Sequence, residues 1–161
     1  MLNRRNALIA GGALSLAPAL RASSTELDAA LERSPFVYLS PIKTDGQTSK
    51  CQAEVWYVYD GADVIVVTDA RAWRARAVRN GMARARIWVG DFGVWTSANG
   101  AYKNAPTFDG AAVIESNPAS HALALQRFGA KYPGEWSTWG PRFKKGLADG
   151  SRVMIRYRKV G

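Results

Sequence analysis

From Phe36 onward, short apolar runs alternate with turn residues. Phe36-Val37-Tyr38-Leu39 is dense in strand formers, and Thr44-Asp45-Gly46 reads as a turn. Lys50 to Tyr59, rich in Val, Trp and Tyr, reads as a second strand, closed by the hairpin signal Asp60-Gly61. Asp63 to Thr68 is nearly all apolar, the pattern of a strand buried on both faces. Arg71 to Arg79 has no strand pattern and reads as a short helix ended by Asn80-Gly81. Ala83 to Gly90 is a strand with Ala85, Ile87 and Val89 opposite Arg84, Arg86 and Trp88. Asp91 to Pro106 reads as a loop or irregular hairpin, and Gly110 to Ser116 as a strand. Asn117-Pro118 opens a helix to about Lys131, which Pro133-Gly134 breaks. Glu135 to Leu147 reads as mixed loop and helix. Arg152 to Lys159 is a last strand, with Val153, Ile155 and Tyr157 against Met154, Arg156 and Arg158. Before Phe36, Ser23 and Glu26 have capping-box spacing for a helix to about Glu32, stopped by Ser34-Pro35.

About six strands joined by tight turns predict an antiparallel sheet, and curling it shut hides its edges. The expected fold is a mainly β, α+β chain: a six-stranded antiparallel split β-barrel with short flanking helices. An open α+β sheet is the alternative.

Charge and composition narrow the function classes. The 161 residues carry a net charge of +9, with one Cys and one His. A single Cys excludes an intrachain disulfide, and one Cys with one His argues against a Cys/His metal cage. Cys51 is expected to be a small buried strand residue. No run of 18 apolar residues predicts a membrane span. His121 lacks metal-ligating companions and is expected in a surface or packing role. Ser40 and Ser116 have no nucleophile-elbow context, and no Walker-type loop is present.

Residues 1–22 hold three arginines and no acid. Arg4-Arg5 precede an apolar run from Ala7 to Leu20 that leads to the small residues around Ala22. This order is expected of a signal peptide. It resembles a twin-arginine export signal, with Ala7 where an aromatic is usual. The chain therefore divides into a signal peptide at 1–22 and a barrel domain at 23–161. The resemblance implies export, to a periplasmic location, of a protein folded around a cofactor.

Arg71, Arg74, Arg76, Arg79, Arg84 and Arg86 are six arginines in sixteen residues with no acid among them. By composition alone they read as a solvated basic face. Their place directly after the buried strand ending at Thr68 suggests something else. A hydroxyl at a strand end, an aromatic at Trp73 and a guanidinium at Arg74 can form a phosphate pocket with a stacking wall.

The residues from Phe36 to Gly90 resemble the pyridoxamine 5'-phosphate oxidase-like family of flavin- and deazaflavin-binding split barrels. The resemblance rests on F-V-Y-L-S at Phe36–Ser40, T-D-G at Thr44–Gly46, E-V-W-Y-V-Y-D-G at Glu54–Gly61 and V-I-V-V-T at Val64–Thr68. It continues in A-W-R-A-R-A-V-R-N-G at Ala72–Gly81 and A-R-I-W-V-G at Ala85–Gly90, with K-Y-P at Lys131–Pro133 and a closing strand. It implies FMN as cofactor, with deazaflavin or haem as alternatives. The phosphate would be held by Thr68 and by Arg74, where the family more often has lysine. Trp73 and Arg76 accompany them on the same helix. The resemblance also implies that the second strand lies along the cofactor ring, where Lys50 and Gln52 would reach it. A homodimer with two shared sites is implied as well, to which Arg86 and Trp88 would contribute. The function implied is an exported oxidoreductase acting on a small organic substrate, with catalytic residues unassigned; a non-catalytic flavin- or haem-binding protein is the alternative. Trp136 and Trp139 would cover the ring or pack the core. A basic nucleic-acid-binding barrel has the charge and aromatics but sits poorly with export.

Overall fold

The computed structural model describes residues 17–160. Most of the predicted signal peptide lies outside them. The first helix, α1 (Ala17–Arg33), runs without interruption through the predicted cap at Ser23, so no helix begins there. The strands are β1 (Val37–Pro41), β2 (Ala53–Val55), β3 (Val58–Tyr59), β4 (Asp63–Asp69), β5 (Arg84–Val89), β6 (Thr107–Glu115) and β7 (Arg152–Val160). The helices α2 (Trp73–Arg79), α3 (Pro118–Lys131) and α4 (Pro133–Asp149) complete the fold. All ladders are antiparallel, in the order β2-β1-β5-β6-β7-β4-β3.

The two edges of this sheet, β2 and β3, belong to one run of chain separated by Trp56 and Tyr57. Three Cα steps span at most about 11 Å, so the edges must approach and the sheet must curl. The result is a split β-barrel, closed except where β2 and β3 meet without a ladder. The single strand expected over Lys50–Tyr59 is thus two, and the sheet has seven strands rather than six. The break has a physical cause. The Tyr57 N–H donates to the Tyr132 hydroxyl at 3.0 Å instead of to a neighbouring strand. That hydroxyl lies 2.9 Å from the carbonyls of Pro35 and Tyr57, to one of which it donates its proton. Trp56 stacks on the Tyr132 ring, centroids 4.4 Å apart.

The period of two along the strands sorts their side chains. Val37, Leu39, Val64, Val66, Ala85, Ile87, Val89, Ala112, Ile155 and Tyr157 fill the barrel interior. Leu31 of α1 and Ala75 of α2 pack into the same cluster. Met154 and Ile65 point outward into a second core under α3 and α4, with Phe128, Tyr132 and Phe143. β4 is therefore buried on both faces, as its apolar run predicts. A third cluster, Tyr38, Trp88 and Tyr102, lies on the outer face of β1 and β5 beneath the 91–106 loop.

Residues 135–147 are fully helical within α4, not mixed loop and helix. Low helix propensity is overridden by packing. Trp136 occupies a slot made by two glycines: a Cβ on Gly129 or Gly140 would lie 2.8 Å from its indole. Pro141 is tolerated on the exposed side. Cys51, expected to be buried, is exposed. It precedes β2 in a segment that no element covers. His121 sits in the first turn of α3, its Nε2 2.8 Å from the Glu115 carbonyl oxygen, a packing role.

Lys131, at the end of α3, places its ammonium 3.4 Å from the Tyr57 ring centroid. Burial lowers its pKa from the ordinary 10.5 to about 8. Burial raises the phenols of Tyr57, Tyr132 and Tyr157 above their ordinary value.

Two tests follow from this packing. Tyr132→Phe leaves the Tyr57 N–H without its acceptor and is expected to lower unfolding stability by about 1–3 kcal/mol, read from urea melts. Between pH 8 and 10 the unfolded chain holds the Lys131 proton more tightly than the folded one, so Lys131 makes stability rise with pH there. Above about pH 10 the unfolded tyrosines ionise first, and stability falls. Lys131→Met is expected to flatten the rise in a series of melts across that window, and an undiminished rise would refute the assignment.

Candidate functional site

The C-terminal end of β4 carries Thr68 and Asp69, and the chain then turns through Ala70–Ala72 into α2. Asp69 caps this turn: its carboxylate accepts from the Arg71 N–H at 2.7 Å and lies 3.6 Å from Arg71 Nε. The turn brings Arg74, on the first turn of α2, beside Thr68. Together they border a cleft of about 410 Å³ whose other walls are Val55, Trp56, Val67, Asp69, Trp139, Phe143 and Arg152. Such a volume suits a small-molecule ligand.

Two polar atoms on these lining residues are buried without a hydrogen-bond partner: Thr68 Oγ1 and Arg74 Nε. Thr68 is 2% exposed. An unsatisfied buried group costs roughly 1–3 kcal/mol, more when charged. Burial also holds the Arg74 guanidinium below its ordinary pKa, opposed by its electrostatic interactions with Tyr157, Glu54 and Asp69. An oxyanion accepting from the Thr68 hydroxyl and from Arg74 would answer both deficits. The donor set thus fits the phosphate of a flavin mononucleotide. Trp73 packs against the barrel core, and the Arg74 guanidinium lies 5.6 Å from its ring centroid.

The structure sorts the arginine cluster by partner. Arg84 and Arg86 are tied to Asp109. Arg71 lies by Asp69, and Arg79 donates to the Ala70 carbonyl. Arg76 is exposed on the outer side of α2. Arg74 alone of the six faces the cleft, with no hydrogen bond or ion pair among the described residues.

Not every residue singled out in the sequence reaches this place. Lys50 is exposed. Gln52 accepts a hydrogen bond from the Tyr102 hydroxyl, and Glu54 accepts from the Trp95 N–H at 3.0 Å, so both anchor the 91–106 loop. Trp88 is buried against Tyr102 in the third cluster. Within one chain Lys50, Gln52 and Trp88 do not share a pocket with the Thr68–Arg74 pair. Trp139 lines the cleft, with its ring edge toward Trp56 at 6.2 Å, whereas Trp136 is a packing residue.

Sequence reasoning missed Val55, Val67, Asp69, Phe143 and Arg152 as cleft residues. Arg152 reads as an outward residue of an ordinary alternating strand. Its signal was the register: Arg152 is the Cα partner of Asp69, which sets the start of β7 beside the end of β4.

No family model and no curated protein matches the chain. Solved structures do. A candidate pyridoxamine 5'-phosphate oxidase from Listeria innocua superposes with a TM-score of 0.56 at 14% identity, over 87% of this chain and 94% of that one. HutZ, the haem storage protein of Vibrio cholerae, gives 0.55 at 12% identity, over 92% of each chain. An F420 reductase gives 0.52 at 18% identity, over 83% of this chain and 93% of that one. The chain has the split-barrel fold that these three proteins share.

Proposed function

We propose that the chain is a flavin-dependent oxidoreductase acting on a small organic substrate, with FMN as cofactor. The observation that carries this reading is the pair of buried, unpartnered polar atoms, Thr68 Oγ1 and Arg74 Nε, on two residues that line an aromatic-walled cleft. Similarity to an F420 reductase and to a candidate pyridoxamine 5'-phosphate oxidase agrees with it, and keeps a deazaflavin as the nearest alternative cofactor. Haem, suggested by the likeness to HutZ, is less well served. The cleft walls contain no histidine, cysteine or methionine to ligate its iron.

In this reading Arg74 and Thr68 grip the phosphate through charge-assisted and hydroxyl hydrogen bonds. Trp56 bounds the ring and excludes water from it. A bound flavin supplies hydride transfer, and the protein supplies position and electrostatics. A second copy of the chain completes the site, since Lys50, Gln52 and Trp88 lie away from the cleft of their own chain. The protein works after export to the periplasm through its twin-arginine-type leader.

Titration of the apo-protein with FMN tests the reading. Wild type is expected to bind, and Arg74→Ala to bind more weakly by roughly 1.5–3 kcal/mol, the worth of a charged hydrogen bond. Unchanged affinity would remove Arg74 from the site. For the leader, replacing Arg4 and Arg5 together by lysine is expected to hold the protein in the cytoplasmic fraction of its host; undiminished periplasmic recovery would refute export by this route.

A further inference from the structure

The cleft has two ends on opposite faces of the barrel wall. Successive strand residues point to opposite faces. Thr68, the partner of inward-facing Val153, belongs to the barrel side, with Arg74. Asp69 and its partner Arg152 belong to the outer side, beneath α4. The second end therefore has its own cation. Among the described residues the Arg152 side chain makes no hydrogen bond and no ion pair. Asp69, the acid nearest in register, is engaged by the Arg71 N–H and lies beside the Arg71 guanidinium.

Arg152 is also held in place. Its guanidinium carbon lies 5.2 Å from the Phe143 ring centroid and 5.8 Å from that of Trp139. Its aliphatic stem crosses Gly146 of α4 so closely that a Cβ there would lie 2.6 Å from Arg152 Cγ. Glycine at 146 is thus a notch that seats this side chain. The exposed Arg142 covers Trp139 as well, at 5.1 Å. A half-buried guanidinium set among aromatic rings and in no ion pair, its charge felt by the Asp69 carboxylate at the same end, is matched to a flat ligand bearing a carboxylate. The carboxylate takes the paired N–H donors and the ring meets Trp139 and Phe143.

We infer that Arg152 forms a second anion subsite, separate from the Thr68–Arg74 end, which binds the carboxylate of a planar aromatic molecule. This identifies the substrate class for the proposed oxidoreductase and rests on that reading only for what fills the other end.

The experiment is a crossed titration using 2-naphthoate and FMN as probes, by calorimetry and tryptophan fluorescence. Wild type, Arg152→Met, Arg152→Lys and Arg74→Ala are compared, with melting temperatures as the folding control. Arg152→Met keeps the stem over Gly146 and is expected to weaken 2-naphthoate at least tenfold while leaving FMN within about twofold. Arg152→Lys is expected to recover part of the naphthoate affinity, and neutral 2-naphthalenemethanol to be indifferent to both changes. Arg74→Ala is expected to show the reverse selectivity. Naphthoate affinity unchanged in Arg152→Met, or both ligands weakened together by each variant, would overturn the second subsite. Failure of wild type to bind FMN would instead overturn the cofactor reading and leave the naphthoate comparison intact.

Discussion

The whole architecture hangs on how a curled sheet ends. β2 and β3 are its two edges, and the chain passes from one to the other through Trp56 and Tyr57. A backbone leaving one ladder for another strands polar groups, and these must be satisfied if they are buried. The Tyr132 hydroxyl does this, accepting from the Tyr57 N–H and lying within reach of the Tyr57 and Pro35 carbonyls. The same ring stacks on Trp56, which is also a wall of the cleft. Barrel closure and site formation are therefore one event in structural terms.

Electrostatics separates the scaffold from the site. Arginines on the sheet exterior are consumed by carboxylates: Asp109 takes Arg84 and Arg86, and the buried Asp63 takes Arg156 and Arg158. The exposed pairs add little net stability, whereas Asp63 and Arg156 are largely buried and losing either would strand the other's charge; all of them neutralise the sheet face on which they lie. Arg74 and Arg152 have no such partner. In a protein with a net charge of +9, excess cation is cheap at the surface and expensive where it is desolvated. Two guanidiniums without an ion-pair partner border one aromatic cleft, a cost that binding of an anion there would offset.

Much of this was legible in the residues. The apolar run at Asp63–Thr68, the alternation in β5 and β7, and the Asp-Gly and Asn-Gly turns depend on local chemistry, and they fix strand number to within one. Glycines at 46, 61, 81 and 150 adopt the positive φ that the turn signals implied. The placement of Thr68 beside Arg74 also followed, because a strand end and the next helix are joined by a short turn. What escaped depends on distant contacts. The split at Trp56–Tyr57 is made by a tyrosine 75 residues away. The helicity of 135–147 comes from a tryptophan slot spanning two helices. Arg152 enters the cleft through strand register, to which its own neighbours in sequence give no clue. Cys51 is exposed because the second strand begins later than its apolar pattern suggests.

The position of Tyr132 in the chain orders assembly. It is the joint between α3 and α4, and it follows every strand but β7. Until that joint is made, β2 and β3 are free edges able to template pairing with other chains. Contacts spanning so many residues are slow to form. The interval between synthesis of the early strands and arrival of the helical hairpin is thus the window in which this barrel is vulnerable to aggregation.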